Sequence, residues 1–271
     1  MNSVYHSEVL PRDKIEGVKL KVISLNLMHG GEPFEHAVTF LKEQDADVVL
    51  TQETYSCEDP TVEKRYRTMQ VMPQLLGYEH VHFSPAYRDF DRTDGKGQRG
   101  NGVFSKYPLT AKETVFFDGD YTEEYRDVPG QFQNCPRNLE HVTMHTPAGD
   151  IDLFNIQGVW DMDGDNYSEK RRHMAEVVVT QVKDLNRVIL AGDTNAKPYN
   201  QAIIEIDQHL KSIFGKDELT TTFNMRRKEN PGYATAAVDM IFISPNLAVI
   251  EKHCPDVDIS DHLPLIAIVK V

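Results

Sequence analysis

Polar side chains gather where this chain enters or leaves its apolar runs. "VISLN" closes on Asn26, "DVVLTQE" on Gln52 and Glu53, and "VILAGDTN" on Gly192, Asp193, Thr194 and Asn195. "AAVDMIFIS" carries Asp239 at its start, and "ISDHLPL" sets Asp261 and His262 before the last apolar run. One Asp or Asn in such a place is ordinarily a turn former or a helix cap. Five such clusters in one chain point to a site. Carboxylates and carboxamides together form an oxygen-rich donor set, which suits Mg2+ or Mn2+. The sequence has no Cys-x-x-Cys pair and no His-Glu-x-x-His segment, so a zinc centre has little support. It also lacks the Gly-rich loop that cradles nucleotide phosphates, which disfavours ATP-driven chemistry.

The elements that must position these residues follow from periodicity. Residues 19–26 alternate polar and apolar like a half-buried strand, and 47–51 is a short apolar strand. Between them, residues 33–44 carry Phe34, Ala37, Val38, Phe40 and Leu41 at helical spacing. A helix is predicted over 61–76, ended by Gly77. Strands are predicted over 78–83 and 102–105, with the polar stretch "SPAYRDFDRTDGKGQRG" between them as a loop. In the second half, 138–145 and 150–156 flank the turn "TPAGD" as a hairpin. Residues 168–183 read as a helix capped by Ser168 and Glu169. Strands follow over 187–191, 237–243, 247–251 and 265–270. Many strands, few helices and short turns predict an α+β sandwich rather than a doubly wound parallel sheet.

Bulk properties narrow the function classes. The chain has 271 residues and no repeat or Pro/Gly/Ser-rich linker, which predicts one domain over 19–271 behind an N-terminal extension, 1–18. No apolar run approaches the ~20 residues of a membrane span, and the first residues lack the apolar core of a secretory signal. Three cysteines, odd in number and far apart, predict a reducing, cytoplasmic setting. The formal net charge of −13 argues against extensive non-specific binding of nucleic-acid backbone. Nothing in the sequence calls for an obligate protein partner, and a monomer is expected.

The blocks "VISLN", "LTQE", "GNGVFSKYPL", "LAGDTN", "VDMIFIS" and "SDHLPL", in this order, resemble the endonuclease/exonuclease/phosphatase superfamily, which includes pancreatic deoxyribonuclease, AP endonucleases and inositol polyphosphate phosphatases. The resemblance runs from about residue 19 to the end of the chain. It implies a four-layer α/β/β/α sandwich with two mainly antiparallel sheets face to face, and divalent-metal-dependent cleavage of a phosphate ester. It implies roles as well. Glu53 stands where the family holds its metal, with Asn26 beside it and Asp261 as a further metal-site carboxylate. Asp193 would orient and deprotonate the attacking water and Asn195 would hydrogen-bond the phosphoryl oxygens. His262 would contact the scissile phosphate, held in its charged form by Asp239. Asn101 matches an asparagine that braces the site. Arg137 matches an arginine before the strand that pairs into the second half, and Arg99 is a further substrate-binding candidate.

One block departs from the pattern. In "FNIQGVWDMDG" Gln157 occupies the place of the family's histidine. Glutamine donates a hydrogen bond but carries no proton at neutral pH. Two readings follow: an active Mg2+- or Mn2+-dependent phosphoesterase, or a catalytically impaired member that binds a metal or ligand. The stretches 84–100 and 118–135 are expected to form the rim of the cleft and decide specificity. The acidic "DGDYTEEYRDVPG" tilts the expected substrate towards a small phosphodiester, a nucleic-acid end or a phospholipid head group rather than intact duplex DNA.

Overall fold

The computed structural model describes residues 17–129, 131, 134–161 and 166–271. Most of the expected extension, 1–18, lies outside the described residues. In chain order the elements are β1 (Lys19–Asn26), α1 (Phe34–Gln44), β2 (Val48–Ser56), α2 (Thr68–Leu76), β3 (His80–Asp89), α3 (Phe90–Thr93), β4 (Gly97–Ser105), β5 (Leu109–Asp118) and β6 (Thr122–Tyr125). There follow β7 (Arg137–Thr146), β8 (Gly149–Gln157), α4 (Glu169–Val182), β9 (Val188–Asp193), α5 (Gln201–Asp207), β10 (Lys211–Ser212), β11 (Asp239–Ile243), β12 (Ala248–His253) and β13 (Leu265–Lys270).

Two sheets face each other, ordered β12-β13-β1-β2-β4-β3-β6 and β10-β11-β9-β8-β7-β5. The pairs β1–β2, β3–β6 and β8–β9 are parallel; the rest are antiparallel. The core between the sheets is built from alternate residues of each strand, among them Leu20, Val22, Val48, Leu50, Leu153 and Ile189. The outer face of the first sheet packs Ile23, Leu25 and Val49 against Phe34, Ala37, Val38 and Leu41 of α1, whose 3–4 spacing makes one apolar stripe. The outer face of the second packs Phe154, Leu190 and Phe242 against Met174, Ala175 and Val178 of α4 and Ile203 and Ile206 of α5. This is the four-layer sandwich. β1 is buried along both faces rather than half-buried as its polar residues predict, because the second sheet covers one face and α1 the other.

Three further differences have local causes. The helix expected from residue 61 starts as a 3-10 turn at Lys64–Arg67 and becomes α-helical at Thr68. Asp59 Oδ1 accepts both the backbone N–H and the hydroxyl of Thr61, a local bond that competes with helix formation. The polar stretch 84–100 is largely strand: β3 runs on to Asp89, which caps α3, and β4 begins at Gly97. Ser84, Asp89 and Arg99 are buried polar residues, and Arg99 lines a cleft, so the stretch lacks the apolar alternation that marks a strand. β5, which no sequence signal revealed, is the edge of its sheet and exposes Thr110 to Thr114, charged like many protected edges. The expected hairpin forms, with His145 opposite Asp150.

Candidate active site

Strand direction brings the polar strand ends together. β1 and β2 end at the rim where β13 begins, and β8 and β9 end where β11 begins. Asp239 is paired directly opposite Asp193, and Gln157 lies beside Asp193 in the parallel register. Gly192 allows this crowding: its φ is +148°, and a Cβ there would lie 2.0 Å from the carbonyl oxygen of Ile156. The rims are also tied across the sandwich. Gln52 Nε2 donates to Asn155 Oδ1 (2.7 Å), and Asn155 Nδ2 donates to Glu140 Oε2 (2.9 Å).

The site opens into a cleft of about 530 Å³. Asp193 and Asn195 form one corner. The Asn195 N–H donates to Asp193 Oδ1 (2.9 Å), and its Nδ2 lies 3.3 Å from Oδ2. Burial pushes the Asp193 carboxyl up to about 6, with the positive charge of His262 pulling the other way. His262 Nδ1 lies 2.8 Å from Asp239 Oδ2, which leaves Nε2 for the cleft that the ring lines. Burial by itself would lower the His262 pKa, but the carboxylates of Asp239, Asp261 and Asp193 outweigh it and raise it to about 10. Ligand atoms of Asp193, Asp239 and His262 lie within 4.8 Å of one another, a spacing that a metal could also use. With Nδ1 already bound to Asp239 and the ring protonated at neutral pH, we read this trio as a proton-holding network.

Glu53 forms the second corner. It sits in a bulge where the β2–β4 register shifts between Thr51 and Thr54, with φ +55°. Oε1 meets three nitrogens: Arg99 Nη2 (2.8 Å), Gln157 Nε2 (3.0 Å) and Asn26 Nδ2 (3.3 Å). Oε2 accepts the backbone N–H of His29 (2.9 Å). Burial opposes ionisation here, but Arg99, then His29, hold the carboxyl well below its usual range. Arg99 is fixed from behind by the Tyr87 hydroxyl and lies over the Tyr87 ring. Asn26 turns Nδ2 towards Glu53 and Asp193 (3.1 Å) and Oδ1 towards the Met28 N–H (3.0 Å).

The remaining expected residues divide. Asp261 lines the cleft and pairs with Lys228 Nζ. Arg137 lines it too, buried, with Nη1 free of any hydrogen-bond partner among the described residues. Asn101 is buried away from the lining; its Nδ2 donates to the carbonyl (3.2 Å) and side chain (3.0 Å) of Asn138, the neighbour of Arg137. Sequence reasoning passed over His29, Arg92 and Lys228, and the aromatic wall of Tyr125, Trp160, Phe223 and Tyr233. Lys228 lies 4.9 and 4.8 Å from the ring centres of Phe223 and Tyr233. The one signal for His29 was the run "MHGG", one residue beyond Asn26.

A family profile described as the Endonuclease/Exonuclease/phosphatase family matches residues 23–262. The chain belongs to that family, whose members are phosphoesterase hydrolases. Among solved structures it is similar to an endonuclease/exonuclease/phosphatase from Beutenbergia cavernae, with 19% identity over 93% of this chain and 72% of that one (TM-score 0.71). It is similar to a mannosyl-6-phosphatase from Bacteroides thetaiotaomicron, with 18% identity over 92% and 99% of the chains (TM-score 0.63). It is also similar to TDP2 of D. rerio in complex with a single-strand DNA product, with 17% identity over 93% and 99% (TM-score 0.65). At these identities the likeness is one of fold. No curated protein matches the chain significantly. Among the described residues no helix is long and apolar enough to cross a membrane.

Proposed function

We propose that residues 19–271 act as one unit, a divalent-metal-dependent phosphoesterase that cleaves a small phosphodiester or a nucleic-acid end. The carrying observation is the pairing of a buried base, Asp193, with a charged donor, His262–Asp239, in a cleft that also holds an ionised Glu53, bridged to Asp193 by the Asn26 side chain. The donor chemistry fits Mg2+ or Mn2+: Glu53 stays anionic, and carboxylate oxygens of Asp193 and Asp261 line the same cleft. Glu53 would hold the ion, with Asp261 and Asn26 beside it. When bound, the ion polarises a phosphoryl oxygen as a Lewis acid.

The chain's own groups do the rest. Asp193, its carboxylate oriented by Asn195, takes the proton of the attacking water. His262 donates from Nε2 to a phosphoryl oxygen and stabilises the charge that builds there. Arg137 supplies a second positive charge. The cleft suits a ligand of small-molecule size, since pockets for such ligands run to about 300–1,000 Å³. Three unpaired cysteines support a reducing, cytoplasmic setting. The expected result is turnover of bis-p-nitrophenyl phosphate with Mg2+ or Mn2+ that EDTA abolishes. Turnover unaffected by EDTA removes the metal from the proposal. Failure to hydrolyse bis-p-nitrophenyl phosphate, nucleotides, abasic or 5′-tyrosyl DNA, sphingomyelin and inositol phosphates alike removes the reaction.

The second reading, an impaired member, draws on Gln157, whose Nε2 is spent on Glu53. Gln157→His replaces that neutral donor with a group able to carry a proton. If the histidine's proton helps the leaving group, kcat rises about 100-fold, the low end of general-acid effects. A parent that already turns over at the rate of the variant excludes impairment.

A further inference from the structure

The turn after β1 is built in an unusual way. Met28, His29, Gly30 and Gly31 all have positive φ, at 53°, 49°, 82° and 113°. Two of these are non-glycine residues, for which the left-handed region is unfavourable, and such strain clusters at functional sites. Gly30 is required, because a Cβ there would lie 2.0 Å from the Arg65 carbonyl oxygen. Its N–H donates to the backbone oxygen of Glu53 (2.7 Å), which clips the turn onto the bulge carrying that residue.

The turn places His29 on one particular edge of the Glu53 carboxylate. Oε1 already faces three nitrogens, of Arg99, Gln157 and Asn26, whereas Oε2 accepts the His29 backbone N–H alone among the hydrogen bonds of the described residues, so a cation is directed to Oε2. The side-chain atom set against Oε2 is His29 Nδ1, at 3.4 Å. That nitrogen is buried and has no hydrogen-bond partner among the described residues. Two ligands each about 2.1 Å from one ion stand about 3.0 to 3.4 Å apart at octahedral to tetrahedral angles. The observed separation therefore matches a pair that shares an ion. Ligation through Nδ1 leaves the ring proton on Nε2. As the ring stands, Arg92 Nη2 donates to Nε2 at 3.5 Å; ligation through Nδ1 gives up that long bond, and Arg92 keeps the carboxylates of Asp89 and Asp127 that it already engages.

We propose that His29 Nδ1 is a ligand of the divalent ion together with Glu53 Oε2, so that the centre has a mixed nitrogen and oxygen donor set. Mg2+ prefers oxygen alone, whereas Mn2+, as a first-row transition ion, gains more from an imidazole nitrogen than Mg2+ does. The site therefore takes Mn2+ in preference to Mg2+. This inference rests on the metal-dependent reading above and concerns which atoms hold the ion.

The test uses the full chain and two variants, His29→Gly and His29→Asn. Both residues tolerate positive φ and keep the backbone N–H on Glu53, so the turn survives. Calorimetric titration with Mn2+ and with Mg2+ gives the affinity ratio, and pulsed electron paramagnetic resonance of the Mn2+-loaded protein detects a directly bound nitrogen. The expected result is a nitrogen coupling in the parent that both variants lose. Mn2+ affinity falls at least 10-fold, the low end of what even supporting groups contribute, while Mg2+ affinity changes much less. Mn2+ bound to the parent without nitrogen coupling, or a Mn2+/Mg2+ ratio unchanged in both variants, overturns the role of His29 and leaves the metal reading standing. No Mn2+ uptake by the parent overturns both.

Discussion

Asp193→Ala lowers the turnover of bis-p-nitrophenyl phosphate by about 10²- to 10⁴-fold, the range of a positioned general base. The size of the effect follows from the carboxylate's surroundings. Asp193 is 2% exposed, and its oxygens are oriented by Asn195 and Asn26. The pH profile of the parent carries a second mark of the same group. The base must be ionised, so activity rises as pH climbs through about 6, where burial has raised Asp193. The donor must be protonated, so activity falls as pH climbs through about 10, where the surrounding carboxylates have raised His262. The bell should thus be wide, with its plateau across neutral pH. Asp193→Asn keeps the shape of the site and loses the acid limb. A variant with unchanged rate, or a parent profile flat between pH 5 and 8, sinks the assignment of Asp193 as base.

Glu53→Ala has a double effect, on metal binding and on the fold. It removes the anion that the proposed ion needs, so calorimetry should find divalent-cation uptake lost and turnover gone with it. It also strands Arg99, a buried guanidinium whose only carboxylate ion-pair partner among the described residues is Glu53. Removing one member of a buried ion pair costs about 3–5 kcal/mol, because the other charge is left uncompensated. Glu53→Gln keeps a hydrogen-bond acceptor for Arg99 and separates the two effects: it should melt nearer the parent yet still fail to bind the ion. Undiminished metal affinity in Glu53→Gln would falsify the assignment of this carboxylate as the metal's anchor.

How far the site was legible in the sequence differs from residue to residue. Asp193 with Asn195, Asp239 and the Asp261–His262 pair were readable, since each is a polar residue at the mouth of an apolar strand and matches a family block. Asn101 was readable as a type but not as a contact; it braces Asn138 from within the sheet. Arg99 was readable as a cation, but its attachment to Glu53 was not. That contact needs the bulge at Thr51–Thr54, and a bulge leaves no mark in hydrophobic periodicity. His29 and Lys228 were invisible for a related reason. They sit on turns, where composition reveals a loop but not what the loop touches.

Within this chain, local chemistry was enough to establish an α+β class, the strands of the core and an inventory of oxygen-bearing strand ends. Those follow from periodicities of two and of three to four residues, which are written in neighbouring side chains. Convergence was decided by tertiary structure. Asn26 and Asp193, separated by 167 positions along the chain, touch because two sheets pack with their strand ends on one rim. Strand pairing and sheet-on-sheet packing are long-range choices, made by the burial of whole faces, and no short window of sequence contains them.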